Sequence, residues 1–316
     1  MSPPASRPGM DAGDAPRAAP IVSGSSKVFY ATEDPGVLCV RFRDAVHGGA
    51  RSADVPGTGR LREEFCFYFY RLLESHGIET QLAKQFRRRP LEGNAALTDS
   101  GILVQRLDMV ALELITRFVA RGHWADAHKY PLFAPGVVFD PPVVDVCLKW
   151  SAEVENVEVR NLRGWRRAVW RRLQRTPLAA IALPATTHRD DPRIGRDLAL
   201  ALHRHSCHPR IRGRLVESAD EWEDLRRLSL RVSSVLAGVV SSCGWQLEDG
   251  KFEVGLAPGA GGRRFLVADE YTQDSARVRS KRGHSLTKDL FRNRRPDSEI
   301  RDGYAQLTDA MKRLAP

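Results

Sequence analysis

Cysteine is scarce in this chain and poorly placed for cross-linking. The 316 residues hold five (Cys39, Cys66, Cys147, Cys207 and Cys243), an odd number, widely spaced and without a C-x-x-C pair. Neither a disulfide framework nor a standard zinc knuckle is therefore expected, and free thiols are. Long apolar runs are missing as well. No stretch approaches the ~18 uninterrupted apolar residues of a membrane-spanning helix, and the opening MSPPASRPGMDAGDAPRAAP lacks the apolar core of a secretion signal. A cytoplasmic protein with no membrane partner is the expectation. A phosphate-cradling loop is also lacking. Gly259-Ala260-Gly261-Gly262 lies between two runs that alternate like strands, whereas a phosphate loop needs a helix N-terminus behind it. A hairpin turn is expected there.

What is present is positive charge: 49 Lys and Arg against 39 Asp and Glu, a net +10, in a chain 42% hydrophobic and 28% charged. This is the composition of a globular protein. Its charge attracts phosphates without choosing among nucleic acid, nucleotide and phosphorylated metabolite. Arginine outnumbers lysine several-fold, which a GC-rich genome explains as readily as a function does.

Residues 1–20 are rich in Pro, Ala and Gly and cannot repay the entropy of ordering, so they read as a disordered tail. From Ile21, two β-prone runs flank the turn Glu33-Asp34-Pro35-Gly36 and predict a hairpin. Leu61, Phe65, Phe69, Leu72 and Leu73 recur at helical spacing between Arg60 and His76, with Gly77 placed to end the helix. Further strands are expected over Gly101–Leu107 and Met109–Ala120. VRNLRGWRRAVWRRLQR stacks Leu162, Trp165, Val169 and Leu173 on one face and predicts a basic amphipathic helix within an Arg-rich insertion at about 157–215. A long helix is expected over Asp224–Ser242, with Ser218 and Glu221 as a capping box. Two alternating strands around the glycine-rich turn follow, then a helix from about Asp297 to Arg313.

The densest chemistry lies in Asp249-Gly250-Lys251-Phe252-Glu253. Its ionisable residues stand at i, i+2 and i+4, which puts all three on one face of a strand. Asp269 and Glu270 end the partner strand. Carboxylates brought together across a hairpin beside a lysine suit a magnesium–nucleotide site, because a hard cation takes oxygen ligands and phosphates take the positive charge. A solvated face of ordinary salt bridges fits the same pattern. Gly24-Ser25-Ser26-Lys27 is a small-residue turn whose amides and lysine could cover phosphates, though it is also common turn chemistry. His203, His205, Cys207 and His208 cluster without matching a standard metal spacing.

Taken in order, these blocks resemble the SAICAR synthetase family, purine-pathway ligases that join aspartate to a carboxyaminoimidazole ribonucleotide with ATP. The resemblance is carried by Gly24-Ser25-Ser26-Lys27-Val28-Phe29-Tyr30 and Thr32-Glu33-Asp34-Pro35, and by LVQRLDMVALELITRFVARG with Asp108, Glu113, Arg117 and Gly122. It continues through Pro141-Pro142-Val143-Val144-Asp145 to Lys149, Asp249 to Gly255, Asp269 to Arg277, and Lys288-Asp289-Leu290-Phe291-Arg292. It implies an α+β, SAICAR synthase-like two-domain fold: a β-rich ATP-binding domain at 21–110, a larger α+β domain at 111–316, and an ATP cleft between them.

By the same resemblance ATP and Mg2+ are the cofactors, with Glu253 and Asp269 on the metal. Gly24, Ser25, Lys27, Arg106, Met109 and Glu113 would bind the nucleotide. Lys251, Asp249, Lys149 and Asp191 would be catalytic, and Arg117, His123, Asp274, Arg277 and Arg292 would hold a ribonucleotide carboxylate, with aspartate as the expected amine. A homo-oligomer is left open. The chain departs from the family at Ser25, where a second lysine is usual, at Phe118 for an asparagine and His123 for a serine, and in Val46 to Arg51 and Thr58 to Arg62. These departures point to a specialised paralogue, of the kind found in pentostatin, coformycin or formycin pathways. The ordinary purine enzyme and a catalytically idle descendant are the alternatives. A nucleic-acid binder that stacks bases on Trp165 and Trp170 is the alternative from another class.

Overall fold

The computed structural model of the chain describes residues 19–48, 51–86, 88–121, 135–148, 219–257 and 263–316. Labelled in chain order over these residues, the elements begin with β1 (Pro20–Ser23), β2 (Lys27–Ala31), β3 (Val37–Phe42), β4 (Ala45–Gly48), β5 (Arg51–Asp54) and α1 (Thr58–Ser75). Next come β6 (Gln85–Phe86), β7 (Arg89–Pro90), β8 (Leu97–Thr98), β9 (Gly101–Gln105), β10 (Asp108–Val119) and β11 (Val138–Leu148). The last third holds α2 (Ala219–Ser242), β12 (Trp245–Leu256), β13 (Phe265–Ala268), β14 (Ala276–Ser280), α3 (Asp289–Arg292) and α4 (Asp297–Leu314).

Two antiparallel sheets carry the molecule, one in the order β1-β2-β3-β9-β8 and the other β11-β10-β12-β13, with β14 also paired to β12. This is the expected α+β class. The passage from the first sheet to the second falls at Arg106 and Leu107, since β10 already belongs to the second. The β2–β3 hairpin closes as its residues dictate: the Gly36 amide donates to Asp34 Oδ1 at 2.9 Å and the Val37 amide to the Asp34 carbonyl at 3.0 Å. The β12–β13 pairing is antiparallel on either side of the glycine-rich segment; residues 258–262 themselves lie outside the described residues.

In α1 four of the five stripe residues, Phe65, Phe69, Leu72 and Leu73, lie in the core, while Leu61 is half-buried and Cys66, Phe67 and Tyr70 are buried as well, so the helix is enclosed on more than one face. Gly77 stops the helix at φ 67°, and the Ile78 amide reaches back to the Leu73 carbonyl at 3.0 Å. The start differs from expectation. Helix begins at Thr58 rather than Arg60, because Asp44, from the β3–β4 link, accepts the Gly59 amide at 2.8 Å. A side chain at Gly59 would lie 2.7 Å from the Phe42 carbonyl oxygen, so this helix end can press against β3 only as glycine. For α2, Glu221 pairs with Arg263 at 2.9 Å; Ser218 lies outside the described residues.

One continuous apolar core joins Val40, Ile102 and Val104 of the first sheet to Phe252, Val254 and Val267 of the second, with α1, α2 and α4 packed into it. The two sheets are also stitched by backbone. Gln81 donates its amide to Val267 at 2.8 Å and accepts the Gln105 amide at 2.7 Å. This fixes the relation between β2, which carries Lys27, and the end of β13, which carries Asp269. Among the described residues no helix is long and apolar enough to cross a membrane.

Candidate functional site

β12 places its charged residues as the alternation predicts. Glu253 stands opposite Glu113 and Ala268, Lys251 opposite Ile115, and Asp249 opposite Arg117. Lys251 Nζ donates to Glu113 Oε1 at 2.6 Å. Burial works against its charge, but Glu113 and Glu253 more than offset that and hold the ammonium above the ordinary lysine range.

β13 ends at Ala268, and the next residue, Asp269, takes a left-handed φ of 65°. For a residue with a side chain this costs about 1 kcal/mol or more. It is held by Gln81, whose Nε2 donates to the Asp269 carbonyl at 2.9 Å. The turn aims both carboxylates at the first sheet. Lys27 Nζ lies 2.5 Å from Asp269 Oδ1 and 3.5 Å from Glu270 Oε2. Lys27 is only 8% exposed. Burial disfavours its charge, yet Asp269, Glu270 and Glu253 together raise its pKa well above the usual value. Asp269 and Glu270 thus pair with one ammonium, and Glu253, expected with Asp269 on magnesium, is near enough for its charge to act on that ammonium. Glu270 Oε2 is buried with no hydrogen-bond donor. Among the described residues no three His, Cys, Asp or Glu side chains form a ready-made metal cage. Hard oxygen donors around a site already holding positive charge, one of them in an ion pair but accepting no hydrogen bond, nonetheless fit Mg2+, which commonly takes one or two carboxylates and completes its shell with phosphate and water.

Beside this cluster lies a cavity of about 290 Å³ whose lining includes Arg117, Lys251, Arg277, Lys288, Arg292 and Asp274. Asp249 and Glu270 line it too. Its guanidinium groups are fixed from behind. Asp249 accepts a hydrogen bond from Arg277 and stands 3.6 Å from Arg117 Nη1. Asp289 lies 2.7 Å from Arg292, 3.4 Å from Arg279 and 3.5 Å from Arg277. Burial pushes the Asp289 carboxyl up, but Arg292, Arg277 and Arg279 prevail and hold it below the usual range. Burial likewise opposes the charge on Arg277, and Asp249 and Asp289 raise it regardless.

Asp274 takes a different place from a free substrate acceptor. One oxygen accepts from Arg62 at 3.1 Å and the other from the Tyr304 hydroxyl, so it forms an anchored wall. Lys288 was given no role by the sequence, although it opens a block quoted for the family. In the structure it faces the cavity with its pKa lowered, chiefly by burial; Asp274 and Glu270 favour its charge, and Arg292 and Lys251 oppose it.

The residues expected on a nucleotide are less closely gathered. The Gly24 amide closes the turn on the Lys27 carbonyl at 2.9 Å, and His47 Nε2 lies 3.2 Å from the Ser25 carbonyl. Met109 stands opposite Gly255, and Arg106 is exposed. Lys149, Asp191 and His123 lie outside the described residues, as do His203, His205, Cys207, His208 and the segment around Trp165 to Arg175 where a basic helix is expected.

Comparison with known proteins defines the class, a ligase that forms C–N bonds. The family model described as SAICAR synthetase matches residues 20–179 and 175–307, and the chain belongs to that family. Among curated relatives, the phosphoribosylaminoimidazole-succinocarboxamide synthase of Methanosarcina mazei is 25% identical over 94% of this chain and 96% of its own length. That of Methanoculleus marisnigri is 26% identical over 94% and 95%. Two solved structures share the fold. The synthase of Ehrlichia chaffeensis superposes with a TM-score of 0.63 at 18% identity, covering 93% of this chain and 98% of its own. A SAICAR synthetase in complex with ADP gives 0.61 at 20% identity, with the same coverage. These relatives carry the name of the ordinary synthase, and the antibiotic-pathway paralogue expected from the departures finds no support among them.

Proposed function

We propose that the chain is a SAICAR synthetase in the ordinary sense, taking ATP, a ribonucleotide with a carboxylate on its imidazole ring, and aspartate. The observation that carries this is the charge arrangement: five cationic side chains face one cavity, and the acid cluster of Glu253, Asp269 and Glu270 adjoins it. A phosphate and a carboxylate on one small molecule are best gripped by such forks.

A carboxylate oxygen of the ribonucleotide attacks the γ-phosphorus of ATP, and ADP departs. The aspartate nitrogen then attacks the acyl carbon, phosphate leaves, and the amine proton passes to solvent. Arg117, Arg277 and Arg292, with Lys288, hold the ribonucleotide, and Asp249 orients Arg117 and Arg277. Lys251 faces the reacting carboxylate. Lys27 and the Gly24-Ser25 turn cover the phosphates, and Arg106, Met109 and Glu113 border the nucleoside. Glu253 and Asp269 would hold Mg2+, which when bound would supply positive charge against that of the transferred phosphoryl group. Lys149, Asp191 and His123 are proposed participants on the resemblance alone.

Thermal unfolding tests the reading. Mg-ATP at a hundredfold excess over its Kd stabilises a folded protein by about 2.7 kcal/mol, a rise of several degrees. The rise should vanish in Glu253→Gln/Asp269→Asn. An unmoved melting temperature in the unaltered protein at millimolar Mg-ATP refutes it.

A further inference from the structure

We infer that Lys27 is a built-in counter-cation of the acid cluster, so that the site admits a divalent cation only together with a nucleotide. This rests on the metal–nucleotide reading above and adds an order of binding to it.

The Lys27 ammonium already takes up carboxylates that such an ion would need. It lies 2.5 Å from Asp269 Oδ1 and 3.5 Å from Glu270 Oε2, and it also feels the charge of Glu253. Both partners are largely shielded, with the Lys27 side chain 10% exposed and that of Asp269 14%. Carboxylates gathered out of water repel one another, and each buried charge left uncompensated costs several kcal/mol. Lys27 removes that cost from inside the protein. It does so from the other sheet, and the backbone stitch through Gln81 holds Asp269 in place to receive it.

A divalent cation arriving alone must therefore displace Lys27. It would leave a buried ammonium without a partner, facing a doubly charged ion across a few ångströms. Arrival with a nucleotide changes the balance. Phosphate oxygens give the ammonium a new acceptor while the carboxylates pass to the metal, so every charge is paired before and after. The turn Gly24–Ser26 immediately before Lys27 keeps the lysine close to where phosphates would lie. By linkage the coupling is mutual: the metal promotes nucleotide binding by the same factor.

The test is Mn2+ binding, followed by electron paramagnetic resonance of the free ion, to the full chain with and without ADP. The Mn2+–ADP complex formed in solution is measured in a protein-free titration. Unaltered protein should bind Mn2+ alone at least about ten-fold more weakly than in the presence of ADP, within the usual range of coupling. Lys27→Gln, which keeps amide donors for the carboxylates, and Lys27→Met should each bind Mn2+ alone about ten-fold more tightly than the unaltered protein. Mn2+ alone should raise the melting temperature of the variants only. Tight Mn2+ binding by the unaltered protein without nucleotide overturns the inference while leaving the metal site intact, and this result needs no variant to fold. Failure of Mn2+ to bind any of the proteins, with or without ADP, overturns the metal–nucleotide reading itself.

Discussion

Gly250→Ala should damage the protein from behind the site, between Asp249 and Lys251. A Cβ at this position would lie 1.8 Å from Tyr271 Oη and 3.0 Å from Cζ. Ordinary contact is about 3.5 Å, so the ring would have to retreat by more than 1 Å. It has nowhere to go. Tyr271 is fully buried, with the Phe69 ring centroid 4.7 Å away and that of Phe252 at 6.2 Å. Overpacking of this kind costs about 1–3 kcal/mol, and the rigidity of both sides points to the upper end, a fall in melting temperature of roughly 5–10 °C. Tyr271→Phe removes the clashing atom. Because Tyr271 Oη has at most a poorly aligned contact with the Ser233 hydroxyl, that change alone should cost about 1 kcal/mol or less, and combined with Gly250→Ala it should restore most of the loss. Urea unfolding of the four proteins gives the coupling energy directly, expected at about 1–2 kcal/mol. Gly250→Ala within about 0.5 kcal/mol of the unaltered protein, or a double variant no better than the single, refutes the interlock.

Three further outcomes follow from the structure. Arg277→Lys keeps a cation beside Asp249 but loses the planar fork, so KM for the ribonucleotide should rise about ten-fold with little change in KM for ATP, as steady-state kinetics will read. Burial pushes the Cys39 thiol up to about 11 and the Cys66 thiol up to about 12. At pH 8 a thiol reagent should therefore label Cys243 well before either, as peptide mass mapping will show. The sign for stability is negative at alkaline pH: above about pH 9 the unfolded thiols ionise while the folded ones stay protonated. Stability should fall as pH rises from about 9 through 11.

Much of this was legible in the sequence wherever the cause was local. The helical stripe of α1, the Gly77 stop and the β2–β3 turn each depend on residues within a few positions. So does the shared face of Asp249, Lys251 and Glu253, which follows from the two-residue period of a strand. What stayed hidden is non-local. Nothing near Gly59 signals that Asp44 caps it, and a glycine-bearing first turn argues against a helix by propensity. The left-handed backbone of Asp269 depends on Gln81, and the burial of Arg62 depends on Asp274 and the carbonyl of Ala45. Lys288 has no local signal either: only the ion pairs of Asp289 with Arg277 and Arg279, which tie α3 to β14, bring the lysine to the same cavity as Arg277 and Arg292.

The central claim is that the acid cluster and the cationic cavity work as one centre, and turnover tests it most directly. The full chain is incubated with ATP, magnesium, aspartate and the carboxyaminoimidazole ribonucleotide, and ADP release is followed alongside the mass of the product. The account predicts one ADP per succinocarboxamide formed, with both lost in Glu253→Gln/Asp269→Asn. ADP release without the succinocarboxamide, or no ADP release at all from folded protein, contradicts it.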